Sequence, residues 1–186
     1  LLGLGKSQEA IALYRASLET DERILRDFGE TESGLRDVSV LQERIGDALR
    51  ENQPQEALTL YRASLLIRER ILSEFGEDSV RLRDVSLSQE RIGDVLCENQ
   101  PQEALALYRA SLLIRERILS KFGESPGRLR DVSVAQLRMG NILFFGFGQP
   151  KEALVMYRTA LETEGRILGS SGETESGSCA VSVLQE

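Results

Sequence analysis

Two pairs of acidic residues have the spacing of a catalytic or cation-binding pair. Glu43 and Asp47, and again Glu90 and Asp94, are four residues apart, so a helix places both carboxylates on one face. Such a pair could hold a cation or act as an acid and a base. The sequence has no histidine, which removes the usual general base and the commonest neutral metal ligand. We therefore expect a solvated helix face, with no catalytic residue, no metal and no cofactor.

Neither the cysteines nor the glycine-rich stretch supplies another reactive site. Cys97 and Cys179 stand far apart, without the spacing of a CxxC motif or a Cys/His cluster. Gly146-Phe147-Gly148 is not followed by the Lys and Ser or Thr of a phosphate-binding loop. The sequence therefore predicts a protein that is not an enzyme.

Arginine recurs at one position of a repeated segment, as Arg44, Arg91 and Arg138. A row of guanidinium groups could receive the carboxylates of an acidic peptide. Asp47 and Asp94 each follow an arginine by three residues, however, and this spacing favours local ion pairs that neutralise the row.

The same segment changes character in its third copy, where large apolar residues replace acids. Leu137 stands where the earlier copies have Glu43 and Glu90. An apolar patch on a charged face is typical of an interaction site. The predicted partner-binding residues are Leu87, Val134, Leu137, Arg138, Asn141, Phe144 and Phe145, with Arg44 and Arg91 as further candidates. The alternative is that the two phenylalanines and Phe147 fold inward to fill space made by a local insertion.

A further set of charges changes sign along the chain, since Asp21, Arg68, Arg115 and Glu164 occupy equivalent positions. Neighbouring copies could pair Asp21 with Arg68, and Arg115 with Glu164. Because desolvation offsets much of the attraction in such pairs, we expect them to fix the order of the repeats more than to stabilise the fold.

These positions recur because the whole chain is repetitive. Tyr14, Tyr61 and Tyr108 follow one another at intervals of 47 residues, and Tyr157 follows at 49. The two extra residues fall in a turn, at 147–148, where an insertion disturbs a repeat array least. The predicted units of this single array are about 1–30, 31–77, 78–124, 125–173 and 174–186.

Each unit holds two helices, here called A and B. In the second unit the A helix is predicted at about 32–51 and the B helix at about 54–75, with Phe75 on the inner side of B. Gly46 costs the A helix stability, so its recurrence predicts close approach of the B helix. A proline opens the B helices that begin at Pro54, Pro101 and Pro150. Both connections are short, so neighbouring helices are expected to run antiparallel.

The turn from each B helix to the next A helix has a recurring sequence of Phe, Gly, Glu and then Thr, Asp or Ser. The glycine is suited to end one helix, and the polar residue two positions later is suited to cap the next. A fourth, weaker copy of this turn is predicted at Ser171-Gly172-Glu173-Thr174.

The motif Ile-Gly-Asp, followed by Gln-Glu-Ala-Leu-x-Leu-Tyr-Arg-Ala-Ser-Leu, resembles the tetratricopeptide repeat family. The Leu-Gly pair of that family is similar to Ile45-Gly46, and its small and aromatic positions are similar to Ala57 and Tyr61. The chain departs from the family in its longer period and in Gln42, which replaces an early aromatic residue; long repeats of this kind resemble kinesin light chain. The resemblance implies an all-α fold, a right-handed superhelical solenoid of antiparallel helix pairs, whose A helices line a concave face. A HEAT or armadillo array is the alternative.

Composition limits the partners and the compartment. Thirty acidic and 23 basic residues give a net charge of -7, which opposes binding to nucleic acid. No stretch is apolar enough for a membrane span or a signal peptide, so we expect no membrane partner and a cytoplasmic location.

The expected function is that of a non-enzymatic scaffold, which binds a peptide or partner protein on the concave face. One alternative is a structural array that self-associates end to end, and a weaker one is the regulatory segment of a larger signalling enzyme. Both ends of the chain interrupt the same helix pattern, so either further repeats or end-to-end stacking is expected.

Overall fold

The structure is a computed structural model that describes the backbone of residues 2–182 and the side chains of residues 8–169. Within those residues the fold is all-α, as predicted, with seven α-helices, one π-helical segment and no strand. The elements are α1 Leu2–Phe28, α2 Glu32–Leu49, α3 Pro54–Phe75, α4 Ser79–Leu96, α5 Pro101–Phe122, α6 Pro126–Asn141, the π segment Ile142–Gly146 and α7 Pro150–Ser182.

The helices form two compact units, Leu1–Leu96 and Cys97–Glu186. In the first unit α1 packs on α2, α2 on α3, and α3 on α4. In the second unit α5 packs on α6 and α6 on α7, and the π segment contacts all three helices. Helices α2, α4 and α6 are A helices, and the others are B helices. Because short turns join helices that pack on each other, consecutive helices within a unit run antiparallel.

The predicted turns from B to A helices are confirmed at three places. Gly29, Gly76 and Gly123 have φ angles of +95°, +80° and +79°. The hydroxyl of Thr31 accepts a hydrogen bond from the Gly34 amide at 3.2 Å, and so caps α2. Asp78 and Ser125 cap α4 and α6 in the same way. Each turn therefore pairs a left-handed glycine with a capping side chain.

The A and B helices of a pair meet closely at a glycine. A Cβ atom added to Gly46 would lie 2.6 Å from Cε1 of Tyr61, and one added to Gly140 would collide with the ring of Tyr157. Tyr61 has no exposed surface. The tyrosine ring therefore fills the space that a side chain on the A helix would need, and the predicted close approach is confirmed at both glycines.

The repeated phrase Arg-Asp-Val-Ser places a small polar residue in the core. Ser39, Ser86 and Ser133 are all fully buried. Each hydroxyl donates to the carbonyl of the arginine three residues earlier, at 2.7, 2.8 and 3.1 Å. The buried hydroxyl group is thus satisfied by its own helix, which removes most of the cost of burying it.

Two predictions about the B helices are wrong. Phe75 is 43% exposed instead of buried, because it is the last residue of α3 and lies beside the turn. The turn predicted at Gly172 is absent from the described backbone, where α7 continues to Ser182. No phenylalanine precedes this glycine, and a glycine inside a helix costs only about 0.5–1 kcal/mol.

The two inserted residues do lie in a turn, as predicted, but the helix before them is also altered. After α6 the chain makes a π-helical turn over Ile142–Gly146, and Gly148 then has a φ of +60°. Ile142 and Leu143 are buried, with 4% and 6% of their surface exposed. Because a π turn holds one more residue than an α turn, it absorbs part of the insertion while keeping these two side chains in the core.

Candidate interaction surface

The acid pairs predicted to face solvent are partly buried, so that prediction is wrong for their first members. Glu43 and Glu90 keep only 5% and 3% of their surface exposed. Asp47 is exposed and Asp94 is half-buried. At Glu43 the cause is an arginine of the next B helix, which gives the buried carboxylate a partner.

Arg68 of α3 lies between α2 and α4 and is 4% exposed. Its Nη1 is 2.7 Å from Oε1 of Glu43, and its Nη2 donates to Oε2 of the same carboxylate at 2.8 Å. It also donates to the Asp84 carbonyl at 2.7 Å, the Ser88 hydroxyl at 3.1 Å and the Ser39 hydroxyl at 3.3 Å. Burial lowers the pKa of Arg68, and the Glu43 carboxylate opposes that shift. One buried ion pair therefore joins three consecutive helices.

Arg91 of α4 extends this network toward the surface. It donates to Oε2 of Glu43 at 2.9 Å and to Oδ1 of Asp47 at 3.2 Å. The Tyr61 hydroxyl donates to the same oxygen of Asp47 at 2.8 Å, and burial together with this bond raises the pKa of Tyr61 well above its usual range. Asp47 is thus held by α3 and α4, and the predicted pair with Arg44 is not formed. With two carboxylate partners, Arg91 offers little attraction to an acidic peptide.

The pair predicted between Asp21 and Arg68 is not formed either. Asp21 is half-buried on α1, whereas the Arg68 guanidinium is directed at Glu43. The spacing of residues along α2 predicts Glu43 on the solvent-facing side, opposite the apolar stripe. That spacing gives no information about the long side chain of Arg68, which reaches Glu43 from α3.

In the second unit the arginine equivalent to Arg68 keeps one of its contacts. Arg115 donates to the carbonyl of Asp131, as Arg68 does to the carbonyl of Asp84. The hydroxyl oxygen of Ser133 lies 3.3 Å from Oε1 of Glu164, which is a second possible acceptor for its proton besides the Arg130 carbonyl. An ion pair between Arg115 and Glu164 stays a prediction.

A cavity of about 240 Å³ opens between α2, α3 and α4 beside the buried network. Three arginines line it, and each is matched by an acid: Arg36 with Asp84 at 2.9 Å, Arg81 with Glu32 at 2.7 Å, and Arg68 with Glu43 at 2.7 Å. Because every cation already has a carboxylate partner, the cavity does not have the uncompensated charge of an anion site.

The apolar residues predicted on α6 and the segment after it are exposed. Val134 is 36% exposed, Leu137 38%, Phe144 45% and Phe145 80%. The rings of Phe144 and Phe145 meet edge to face, with centroids 4.9 Å apart. The alternative of inward-folded rings is therefore wrong for both, whereas Phe147 is half-buried. These four exposed residues, Val134, Leu137, Phe144 and Phe145, are called the α6 patch below.

The remaining candidates lie elsewhere or serve the fold. Leu87 is half-buried and belongs to the first unit, and Arg44 of the same unit is exposed. Arg138 is half-buried on α6. The side-chain oxygen of Asn141 accepts a hydrogen bond from the Tyr157 hydroxyl at 2.9 Å, as Asp47 does from Tyr61. Asn141 therefore helps to hold the helix pair together.

The patch exists where the buried ion pair has been lost. In the first unit Glu43 pairs with Arg68. At the equivalent positions of the last pair, Leu137 replaces the glutamate and Glu164 replaces the arginine. Both partners have changed together, so neither charge is left buried alone, and an apolar side chain stands in the glutamate position.

The comparisons with known proteins do not identify a relative. No family model matches the sequence, and no curated protein matches it significantly. Among the described helices none has the length and apolar character to cross a membrane. Residues 8–169 contain no group of three or more potential metal ligands placed to hold an ion.

Proposed function

We propose that the chain is a non-enzymatic scaffold that binds a peptide or partner protein through the α6 patch. The observation that carries this proposal is the exposure of Leu137, Phe144 and Phe145, at positions where the two preceding copies have charged residues in every case except Cys97. Large apolar side chains clustered on a polar surface are characteristic of interaction sites, and aromatic residues are enriched in them.

We further propose that the helix pairs form a right-handed, tetratricopeptide-like superhelix in which the A helices line the concave face. The consecutive antiparallel packing within each unit and the contact between Gly46 and Tyr61 support this assignment. The same proposal places the protein in the cytoplasm, where a soluble scaffold would meet its partner.

The patch favours a partner with apolar anchors over an acidic peptide. In the first unit Arg91 is already paired with two carboxylates, and Arg44 is a single exposed charge. The α6 patch instead offers two aromatic rings and a leucine on adjacent turns. An amphipathic segment with a few large apolar residues fits such a surface.

The test is a selection of peptides from a random display library on the purified chain, followed by affinity measurements on variants. We expect enriched peptides to carry apolar anchors and to lose at least about tenfold in affinity on Leu137→Ser or Phe145→Ser. Leu113→Ser is the matched control, because Leu113 is a 66% exposed leucine on α5 outside the patch.

Circular dichroism of each variant separates binding from folding. A loss of affinity with unchanged helicity supports the α6 patch as the binding site. Equal affinities for all three variants, or no peptide enriched above background, would refute the proposal.

A further inference from the structure

The B helices carry an apolar row in which each member follows the previous one by seven residues. On α1 the row is Ile11, Leu18 and Leu25, and on α7 it is Leu154, Leu161 and Leu168. The row on α1 faces the A helix that follows it, since a Cβ atom added to Gly34 of α2 would lie 2.6 Å from Cδ2 of Leu25. An antiparallel helix is therefore the neighbour that covers this row.

The row is covered on three B helices and open on the fourth. Every member on α1, and every equivalent residue on α3 and α5, is buried or half-buried. On α7, Leu154, Leu161 and Leu168 are 47%, 71% and 76% exposed. The face of α7 toward α6 is closed, since Ala153 and Ala160 are fully buried. Helix α7 therefore has one packed side and one apolar side that has no neighbour among the residues that the structure describes.

The spacing of the three leucines suits a second copy of the same helix. Seven residues make nearly two helical turns, so the three side chains lie in one line along α7. The line is symmetric about Leu161, with Leu154 seven residues before it and Leu168 seven residues after it. When two such helices lie antiparallel, Leu154 comes beside Leu168 of the partner subunit, and the two Leu161 side chains meet. Every leucine of the open row is then covered by an antiparallel helix, as the row of α1 is covered by α2.

The charges beside the row are also complementary in this arrangement. Arg158 and Glu162 are exposed, lie on the same edge of the row, and form no ion pair within residues 8–169. Antiparallel packing reverses the order of the two residues on the second helix, which brings Arg158 near Glu162 of the partner subunit. The same contact occurs a second time by symmetry. Opposite charges that meet across an interface favour the correct partner and the correct register.

We propose that two copies of this chain form a dimer through their α7 helices, which pack antiparallel with the two-fold axis at Leu161. The interface is closed and self-complementary, as expected of a symmetric dimer. Its apolar part consists of three leucines from each subunit, all within residues 154–168. Because this contact is small, the expected dissociation constant of the dimer is in the micromolar range.

The first experiment is sedimentation of the purified chain from nanomolar to high micromolar concentrations. We expect a monomer–dimer equilibrium, which Leu161→Asp shifts toward monomer by at least about thirtyfold in dissociation constant, because two carboxylates would then meet at the axis. Leu113→Asp is expected to dimerise like the parent chain, because Leu113 is a 66% exposed leucine of α5 that does not belong to the row. Both variants are expected to keep the helicity of the parent chain, since both leucines are largely exposed. A chain that stays monomeric throughout, or dimers indifferent to Leu161→Asp, would overturn the proposal.

The second experiment tests the relative direction of the two helices. Leu154→Cys and Leu168→Cys are made in separate chains, in which Cys97 and Cys179 have been changed to serine. When the two variants are mixed and oxidised, we expect a covalent dimer on a non-reducing gel, and much less of it from either variant alone, because antiparallel packing brings residue 154 beside residue 168.

Two other results would contradict the proposal. Cross-linking of each variant with itself would show that the helices pack parallel, and no cross-link in any sample would show that the two positions do not meet. Neither experiment alters the α6 patch, so the outcome is independent of the proposed peptide binding.

Discussion

Arg68 shows how this protein accommodates a charge in its interior. The guanidinium is almost fully buried, yet its nitrogens have the Glu43 carboxylate, two hydroxyl groups and a carbonyl as acceptors. Desolvation of both charges offsets much of the attraction between them, so the pair adds little net stability. Removing only one partner is a different matter, because the other charge then remains buried without compensation.

We expect Glu43→Leu to lower the free energy of unfolding by about 3–5 kcal/mol, because Arg68 is then buried without its carboxylate. Adding Arg68→Leu should restore much of that loss, as the last helix pair already has leucine at the glutamate position. Urea unfolding of the two single variants and the double variant measures the coupling.

The control for this cycle is Asp21→Asn, since Asp21 does not contact Arg68. Its effect should add to that of Arg68→Leu within about 0.3–0.5 kcal/mol. Additive effects of Glu43→Leu and Arg68→Leu would instead show that the buried contact is not the one described.

The glycines of the A helices give a second prediction at the level of single residues. Gly46→Ala should destabilise the protein by about 1–3 kcal/mol, because the new methyl group would overlap the ring of Tyr61. Gly165→Ala on α7 is the matched control, with nothing within 4 Å of the added atom.

Alanine has the higher helix propensity, so Gly165→Ala should raise stability by about 0.5–1 kcal/mol. The sign of the change thus separates a packing requirement from a propensity effect. The denaturation midpoints of the two variants are expected to move in opposite directions, and a stabilising Gly46→Ala would refute the close contact.

At the scale of elements, the residue types in the turns predicted where three of the helices end and the next begin, because helix capping depends on residues that are close in sequence. Glycine at positive φ followed by a capping side chain marked the turns at Gly29, Gly76 and Gly123 correctly. The same type of signal failed at Gly172, where α7 continues. The π segment gave no local signal either, because it depends on how Ile142 and Leu143 pack and not on the preferences of their own backbone.

The insertion after α6 can be tested by deleting Phe147 and Gly148, which restores the spacing found after α2. We expect the free energy of unfolding to change by only about 1 kcal/mol, since the length of a turn has a small effect on stability. Affinity for the peptides selected on the parent chain should fall, because Phe144 and Phe145 would then continue an ordinary helix end.

Thermal unfolding and peptide titration of the deletion variant provide the measurement. If the variant failed to fold, the π segment would be required to place Ile142 and Leu143 in the core. If it folded and bound peptides unchanged, the insertion would have no role in presenting the aromatic rings.

At the scale of the whole molecule, the repeat period was sufficient to predict an all-α fold with consecutive packing. It was not sufficient to predict how the helices group. The two compact units divide between Leu96 and Cys97, at a turn whose Asn99-Gln100-Pro101 sequence is identical to Asn52-Gln53-Pro54 inside the first unit. The turn sequence therefore does not distinguish the boundary between the units from a turn inside the first unit.

The same limit applies to the surface. The change from glutamate to leucine at position 137 could be found by aligning the copies, and the exposure of the α6 patch agrees with it. The burial of Glu43 could not be found in that way, because it depends on a side chain that reaches across from another helix. Within a repetitive chain, positions where copies differ are therefore better guides to a candidate site than charges that recur.

The fit between Gly46 and Tyr61 has a consequence for how such a chain can evolve. The glycine and the tyrosine ring that packs on it both belong to a single helix pair, and Gly140 and Tyr157 show the same arrangement in another pair. Duplication or deletion of one full period therefore adds or removes a complete glycine–tyrosine contact. The gene can lengthen or shorten by whole repeats, while each remaining helix pair keeps its own glycine–tyrosine contact.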